Sequence, residues 1–211
     1  MIFDAAHCFG SKYKGKSVYR CGDVSTASFH ATKLFHTIEG GGVFCNDPEL
    51  LKKMAFMRNF GHNGPEDFAE VGINGKNSEF HAAMGLVNLK YIDGILTKYR
   101  SLWTHYDEQL SGLGLKGIAI QPDSTFNYAY YPVIFETERD LLKAVTILND
   151  HDIFPRRYFY PPLNWLRYVG RGSLPACDSI SPRILALPMY STLSLEQVEQ
   201  ITDLLIRARN E

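Results

Sequence analysis

The stretch Ser28-Phe29-His30-Ala31-Thr32-Lys33-Leu34-Phe35-His36-Thr37-Ile38-Glu39-Gly40-Gly41-Gly42 decides how this chain is read. It continues Asp23-Val24-Ser25-Thr26-Ala27-Ser28-Phe29, whose composition predicts a strand. Behind the glycine triplet, Gly42-Val43-Phe44-Cys45 predicts another short strand. Upstream, Ile2-Phe3 reads as the end of a buried strand opening directly into Asp4, 29 residues before Lys33. Downstream, Asn46-Asp47-Pro48-Glu49 starts a helix: Asp47 suits the N-cap, Pro48 the first helical position, and Leu50, Leu51, Met54 and Met57 supply an apolar face. This alternation predicts an α/β sheet, in which ligands gather at the carboxyl ends of strands. Asp4 and the segment leading to Lys33 both fall there.

Further along, residues 61–77 are rich in glycine, asparagine and acids and predict an exposed loop. Asn77 or Ser78 can cap a long helix in which Phe80, Met84, Val87, Tyr91 and Ile95 recur at helical spacing, running on with a bend near Gly94 to about Leu110. The pattern then restarts. Tyr128–Phe135 predicts an edge strand because it holds Pro132. Thr137 can cap a helix with Leu141, Leu142, Val145 and Leu148 inside, and Ile153–Phe159 and Arg183–Leu187 predict strands. Ser194-Leu195-Glu196-Gln197 is a capping box before the apolar stripe Val198, Ile201, Leu204 and Leu205. The expected division is a first part over residues 1–111, ending in the long helix, and a small α/β domain over 112–211.

Composition narrows the function. The 211 residues carry a formal net charge of −1 and an apolar fraction of 45%, ordinary for a globular chain with a core. The cluster Lys12-Tyr13-Lys14-Gly15-Lys16 reads as a solvated turn rather than a nucleic-acid patch. No apolar run reaches membrane-spanning length, and the first residues lack a secretory pattern. Cys8, Cys21, Cys45 and Cys177 are scattered without a CxxC, which argues against zinc or a disulfide scaffold and fits a reduced cytoplasm. His30 and His36 lack the spacing of a metal-binding pair.

What remains is a lysine in an unusual setting. Ser28 lies five residues before Lys33, three glycines follow, and Asp4 and His7 stand upstream. That is the layout of a pyridoxal phosphate (PLP) site, which needs an amine to bond the cofactor, an acid for the pyridinium nitrogen, and hydroxyls and amides for the phosphate. Each residue also has a plainer reading: Asp4 as an N-cap, Ser28 as a tolerated strand serine, the glycines as a turn, His7 as a buried histidine, Lys33 as a solvent charge. Only together do they favour the cofactor.

The motifs go further than spacing. Asp4-Ala5-Ala6-His7, Ser28–Lys33, Glu39-Gly40-Gly41, Asn46–Leu50, Arg58-Asn59-Phe60-Gly61-His62, Gly72–Lys76, Glu79–Ala83 and Leu187-Pro188-Met189-Tyr190 resemble the DegT/DnrJ/EryC1/StrS family of PLP-dependent nucleotide-sugar aminotransferases. The resemblance runs through essentially the whole chain. It implies aminotransferase fold type I: residues 1–111 as the remainder of a PLP-binding large domain with its linking helix, and 112–211 as the small C-terminal domain. It also implies site roles. Asp4 would pair with the pyridine nitrogen, His7 contact the cofactor ring, Ser28 bind the phosphate, and Lys33 bond the cofactor and shuttle protons. Asn74 would reach the phosphate of a neighbouring subunit's cofactor, which implies a homodimer with shared sites.

The strings Thr32–Thr37, Glu39-Gly40-Gly41 and Arg156–Pro161 are most similar to members that aminate C4 of a dTDP-4-keto-6-deoxyhexose, with glutamate as donor, for cell-surface polysaccharide such as O-antigen. Lys33 argues against the family's dehydratases, which have histidine there. The 3-ketosugar branch and a non-catalytic fragment remain as rivals. Ile38 stands where glycine is common, and Lys76 where arginine is frequent. Family members are nearly twice as long, so the expectation is a chain that begins at the Asp4 strand and lacks the first phosphate-binding turn and the aromatic that stacks on the ring.

Overall fold

The computed structural model describes residues 1–170 and 172–210, and the chain divides into two compact units, Met1–Leu96 with Gln121–Asn127, and Thr97–Ile120 with Tyr128–Glu211. In the first, β1 (Ile2–Asp4) leads to a hairpin of β2 (Lys12–Tyr13) and β3 (Lys16–Ser17), then β4 (Val24–Ser28), β5 (Gly41–Cys45) and α1 (Pro48–Arg58). The helices α2 (Glu79–Leu89) and α3 (Ile92–Leu110) follow, and β6 (Ser124–Thr125) returns to this unit to pair with β2. The central sheet has the order β1-β4-β5, with β1 parallel and β5 antiparallel to β4. The mixed α/β organisation is as expected.

Local chemistry explains the element starts. Asp47 Oδ1 accepts from the amides of Glu49 (2.9 Å) and Leu50 (3.2 Å), and Pro48 opens α1. Ser78 Oγ accepts from the His81 amide and starts α2. Each cap contributes about 1 kcal/mol. The Lys12–Lys16 cluster is a hairpin turned by Lys14 and Gly15, both at positive φ (48° and 74°), as a type I′ turn requires.

Three expectations for this unit change. β1 is not buried: Ile2 is 76% exposed, because β1 is the edge strand and only β4 pairs with it. No residue of α1 is buried, and its expected apolar face is open at Leu51 and Met57. The long helix is two helices. It breaks at Lys90 and Tyr91, whose amides turn back to Val87 and Asn88, while Gly94 lies inside α3.

The second unit holds the rest of α3, then β7 (Tyr131–Ile134), α4 (Glu138–Asn149), α5 (Pro175–Ile180), β8 (Ile184–Leu187) and α6 (Leu195–Asn210). β7 and β8 pair antiparallel, with Pro132 opposite Ala186. Thr137 Oγ1 accepts from the Asp140 amide, and the Ser194/Gln197 box closes reciprocally at 2.9 and 3.1 Å. The core here is Leu102, Tyr106, Leu141, Ala144, Leu148, Leu185, Leu187, Val198, Ile201, Leu204 and Leu205, all buried. Leu142, expected inside, is half-exposed because the buried stripe of α4 runs through Leu141, Ala144 and Leu148. Ile153–Phe159 does not form a strand. Pro155 can donate nothing to a ladder, and pairing shrinks to one bridge between Arg156 and Ala186. Tyr128 at φ 59° ends the extended backbone early, so β7 is shorter than expected.

Candidate active site around Lys33

The site is built on β1 and β4. Their parallel register places Asp4 opposite Thr26, so Asp4 projects to the same side of the sheet as Thr26 and, two residues on, Ser28. Both strands deliver these polar side chains at their carboxyl ends. After Asp4 the chain turns sharply. Asp4 Oδ1 accepts from the Ala6 amide at 3.0 Å, and the Ala5 amide donates to the Thr26 carbonyl at 3.0 Å. The second Asp4 oxygen is left for a ligand. The plain reading of Asp4, an N-cap for the next turn, and a cofactor contact are therefore compatible.

That turn carries His7 to Lys33: His7 Nε2 lies 2.7 Å from Lys33 Nζ. Burial, and then the Lys33 charge, hold the imidazole below its ordinary value of 6.5, against a weaker opposing pull from Asp4. Burial likewise lowers the Lys33 ammonium from 10.5, with Asp4 pulling the other way. His7 is thus neutral near pH 7, and its Nε2 accepts a hydrogen bond from Lys33. A lysine of lowered basicity with an imidazole in contact is suited to bonding a carbonyl and to moving protons.

The loop holding Lys33 is anchored on both sides. Phe9 stacks on Phe35 at 4.3 Å between ring centroids, and Phe29 meets Phe35 edge-on at 5.0 Å. Leu34 and Phe35 are buried beneath Lys33. Thr37 is buried, and its Oγ1 donates to the Glu39 carbonyl. Helix α2 fits against this segment through Gly85, and Asn88 Nδ2 donates to the His36 carbonyl at 2.9 Å. Ser28 Oγ accepts weakly from the His30 amide at 3.4 Å. Ile38, where glycine was noted as common, takes φ 67°, a left-handed conformation that suits glycine and strains a β-branched residue. Lys76 donates to Asn59 Oδ1 at 3.1 Å and sits 4.1 Å over the Phe60 ring.

Asp4, His7 and Lys33 come together, with Ser28 on the same strand ends. Asn74 stands on the exposed loop after α1, where its backbone bridges Asn59. Sequence reasoning missed Asn127. It is buried, and its Nδ2 donates to the carbonyls of His7 (2.8 Å) and Phe9 (2.9 Å). The one sequence signal for it, an asparagine amid aromatic residues, gives no hint of its partners.

The donor set fits PLP. It comprises an amine of lowered basicity, a carboxylate with one oxygen to spare, an imidazole touching the amine, and a serine hydroxyl beside backbone amides. Among the described residues no group of three acidic, cysteine or histidine side chains could hold a metal ion. No helix of the described residues is long and apolar enough to cross a membrane.

Known proteins resemble this chain over nearly its whole length. The dTDP-4-amino-4,6-dideoxy-D-glucose transaminase of Shigella dysenteriae is 35% identical over 210 residues, covering 95% of this chain and 57% of that one. The enzyme of the same name from Escherichia coli is 34% identical over 220 residues, covering 98% and 58%. This chain therefore spans a little over half the length of these relatives. Among solved structures, DesI in the presence of its TDP-sugar product superposes with TM-score 0.89 at 29% identity, over 98% of this chain and 55% of that one. The aminotransferase TlmJ from Streptoalloteichus hindustanus shares the fold with TM-score 0.91 at 24% identity, over 99% and 58%. The expected aminotransferase fold is thereby met. The family model for the DegT/DnrJ/EryC1/StrS aminotransferases matches residues 1–206, and this chain belongs to that family.

Proposed function

We propose that this chain is the Lys33-bearing part of a PLP-dependent transaminase that aminates a nucleotide-linked 4-keto-6-deoxyhexose, dTDP-4-dehydro-6-deoxyglucose, with glutamate as amino donor. Residues 1–111 would be the remainder of its cofactor-binding large domain with the linking helix, and 112–211 its small domain. The observation that carries the reading is the 2.7 Å contact between Lys33 Nζ and His7 Nε2, at strand ends that also hold Asp4 and Ser28. The sugar assignment is supported by two relatives at 34–35% identity, both dTDP-4-amino-4,6-dideoxy-D-glucose transaminases.

When bound, PLP would supply a ring that withdraws electrons from the substrate carbon. The chain's own residues divide the remaining work. Asp4, through its free oxygen, would hold the proton on the pyridine nitrogen and so keep the ring electron-poor. Lys33 would bond the cofactor at rest. Once released, its amine would take the proton from the donor carbon and return one to the sugar carbon. His7 Nε2 accepts from Lys33 Nζ and would steady the amine between these transfers. Ser28 would donate to the phosphate. Asn74, exposed on its loop, is suited to reach a second subunit's phosphate in a homodimer. A setting in the cytoplasm and a role in O-antigen assembly belong to the same reading.

The test is amino transfer from glutamate to dTDP-4-dehydro-6-deoxyglucose, with the product sugar identified by NMR. A 4-amino sugar that disappears in Lys33→Ala is expected. A chain that carries PLP on Lys33 yet forms only a 3-amino sugar, or none, overturns the substrate assignment.

A further inference from the structure

Asn127 lies almost 100 residues after Lys33, in the short segment Gln121–Asn127 that rejoins the first unit. It is 3% exposed. A buried side-chain amide is costly unless its donors are used, and Nδ2 donates to two carbonyls of one loop, His7 O at 2.8 Å and Phe9 O at 2.9 Å. The segment is held in place by β6, which pairs with β2, and by the Lys14 amide donating to the Asp123 carbonyl at 2.9 Å. The two carbonyls belong to the two residues whose side chains shape the site. His7 touches Lys33, and Phe9 stacks on Phe35, two residues beyond Lys33. Gly10, at φ 80°, ends the loop. Without a donor between them, two carbonyls aimed at one buried point would repel each other, and the loop would open at His7.

We propose that Asn127 is a positioning residue for this site: it latches the loop 7–9 so that His7 Nε2 stays in hydrogen-bond contact with Lys33 Nζ. The charges of Lys33 and Asp4 both bear on His7, and the latch fixes the imidazole's distance to both. The bonds of Asn127 go to the backbone carbonyls of His7 and Phe9, so its effect on Lys33 passes through the His7 loop. Its catalytic meaning rests on the aminotransferase reading above; the latch itself does not.

The test uses the whole chain without cofactor, and Asn127→Leu, which keeps the volume and removes the donors. The imidazole of His7 is followed by NMR across pH, its signal assigned by its loss in His7→Gln. In Asn127→Leu the His7 titration should move up toward the ordinary histidine range, because the ring leaves its half-buried seat beside Lys33. Bonding of PLP to Lys33, trapped by borohydride at pH 7, should slow roughly tenfold or more, as expected when a positioned group moves by about 1 Å. A variant that melts earlier but keeps the wild-type His7 titration and trapping rate would show a merely structural asparagine and overturn the proposal. Should Asn127→Leu not fold, wild-type protein decides: the Asn127 side-chain amide protons must exchange slowly with solvent, and rapid exchange refutes the latch. Because the titration and exchange arms contain no PLP, a chain that never accepts the cofactor still tests the latch. Normal PLP trapping in wild type with no change in the variant refutes the latch alone.

Discussion

Replacing Gly85 by alanine tests how α2 is held against the Lys33 segment. A Cβ at Gly85 would lie 2.8 Å from Thr37 Cγ2 and 3.8 Å from Phe35 Cζ. Carbon atoms in contact ordinarily sit about 3.5–4.0 Å apart, so helix and segment must separate by roughly 0.7 Å or Thr37 must rotate. Rotation is opposed, because Thr37 is buried and its hydroxyl donates to the Glu39 carbonyl. Separation is opposed by the Asn88 bond to the His36 carbonyl. Overpacking of this kind costs about 1–3 kcal/mol. Against it stands the gain of about 1 kcal/mol from alanine over glycine inside a helix. Gly85→Ala should therefore destabilise by about 1 kcal/mol net. Thr37→Ser removes Cγ2 and keeps the hydroxyl bond, so in that background the clash is gone and the helical gain should appear, making Gly85→Ala stabilising by up to about 1 kcal/mol. Equilibrium urea unfolding of the four proteins in the cycle measures this coupling. A stabilising Gly85→Ala in the Thr37 background, or the same cost in both backgrounds, would refute the account of how α2 docks.

Three further outcomes follow from the geometry. His7 and Lys33 both bind protons less readily folded than unfolded, so the unfolded chain takes up protons as pH falls through 6.5, and again over the range below 10.5. Stability should thus drop on acidification from pH 7 to 5, less steeply in His7→Gln; and Lys33→Met should be more stable than wild type at pH 7, by a margin that shrinks as pH rises toward 10.5, both read from melting curves. Ile38→Gly should raise stability by up to about 1 kcal/mol, since glycine keeps the left-handed conformation without the Cβ clash of about 1–2 kcal/mol, against its entropic cost of about 0.5–1 kcal/mol; Ile38→Val, still β-branched, should gain nothing. In the second unit, fully buried Tyr106 donates its hydroxyl to the Pro188 carbonyl at 3.0 Å, so Tyr106→Phe should cost about 1–3 kcal/mol in urea unfolding by leaving that carbonyl unpaired.

The parts of this structure that sequence reveals are those decided locally. Asp47, Ser78, Thr137 and Ser194 cap the helices they were expected to cap, because a cap depends on residues within one turn. The meeting of Asp4, His7 and Lys33 was legible for a related reason: two short strands in parallel register bring their next residues together. What depends on partners distant in the chain was not legible. Ile2 is apolar whether a strand lies on an edge or in a centre, so its exposure could not be read from its identity. The Asn127 bonds join residues about 120 apart, and no local pattern marks them. The hairpin at Lys14-Gly15 sits between: its turn chemistry was visible, but its partner β6 lies more than 100 residues away. Ile38 is a departure noticed in sequence whose physical consequence, a left-handed β-branched residue in the segment after Lys33, only the backbone reveals.

The central claim is that Lys33 bonds the cofactor. Incubation of the chain with PLP, reduction with borohydride and peptide mass spectrometry test it most directly. The account predicts a pyridoxyl group on the peptide containing Lys33, lost in Lys33→Ala and weakened in His7→Gln. A folded chain that carries the group on other lysines, or on none, contradicts it.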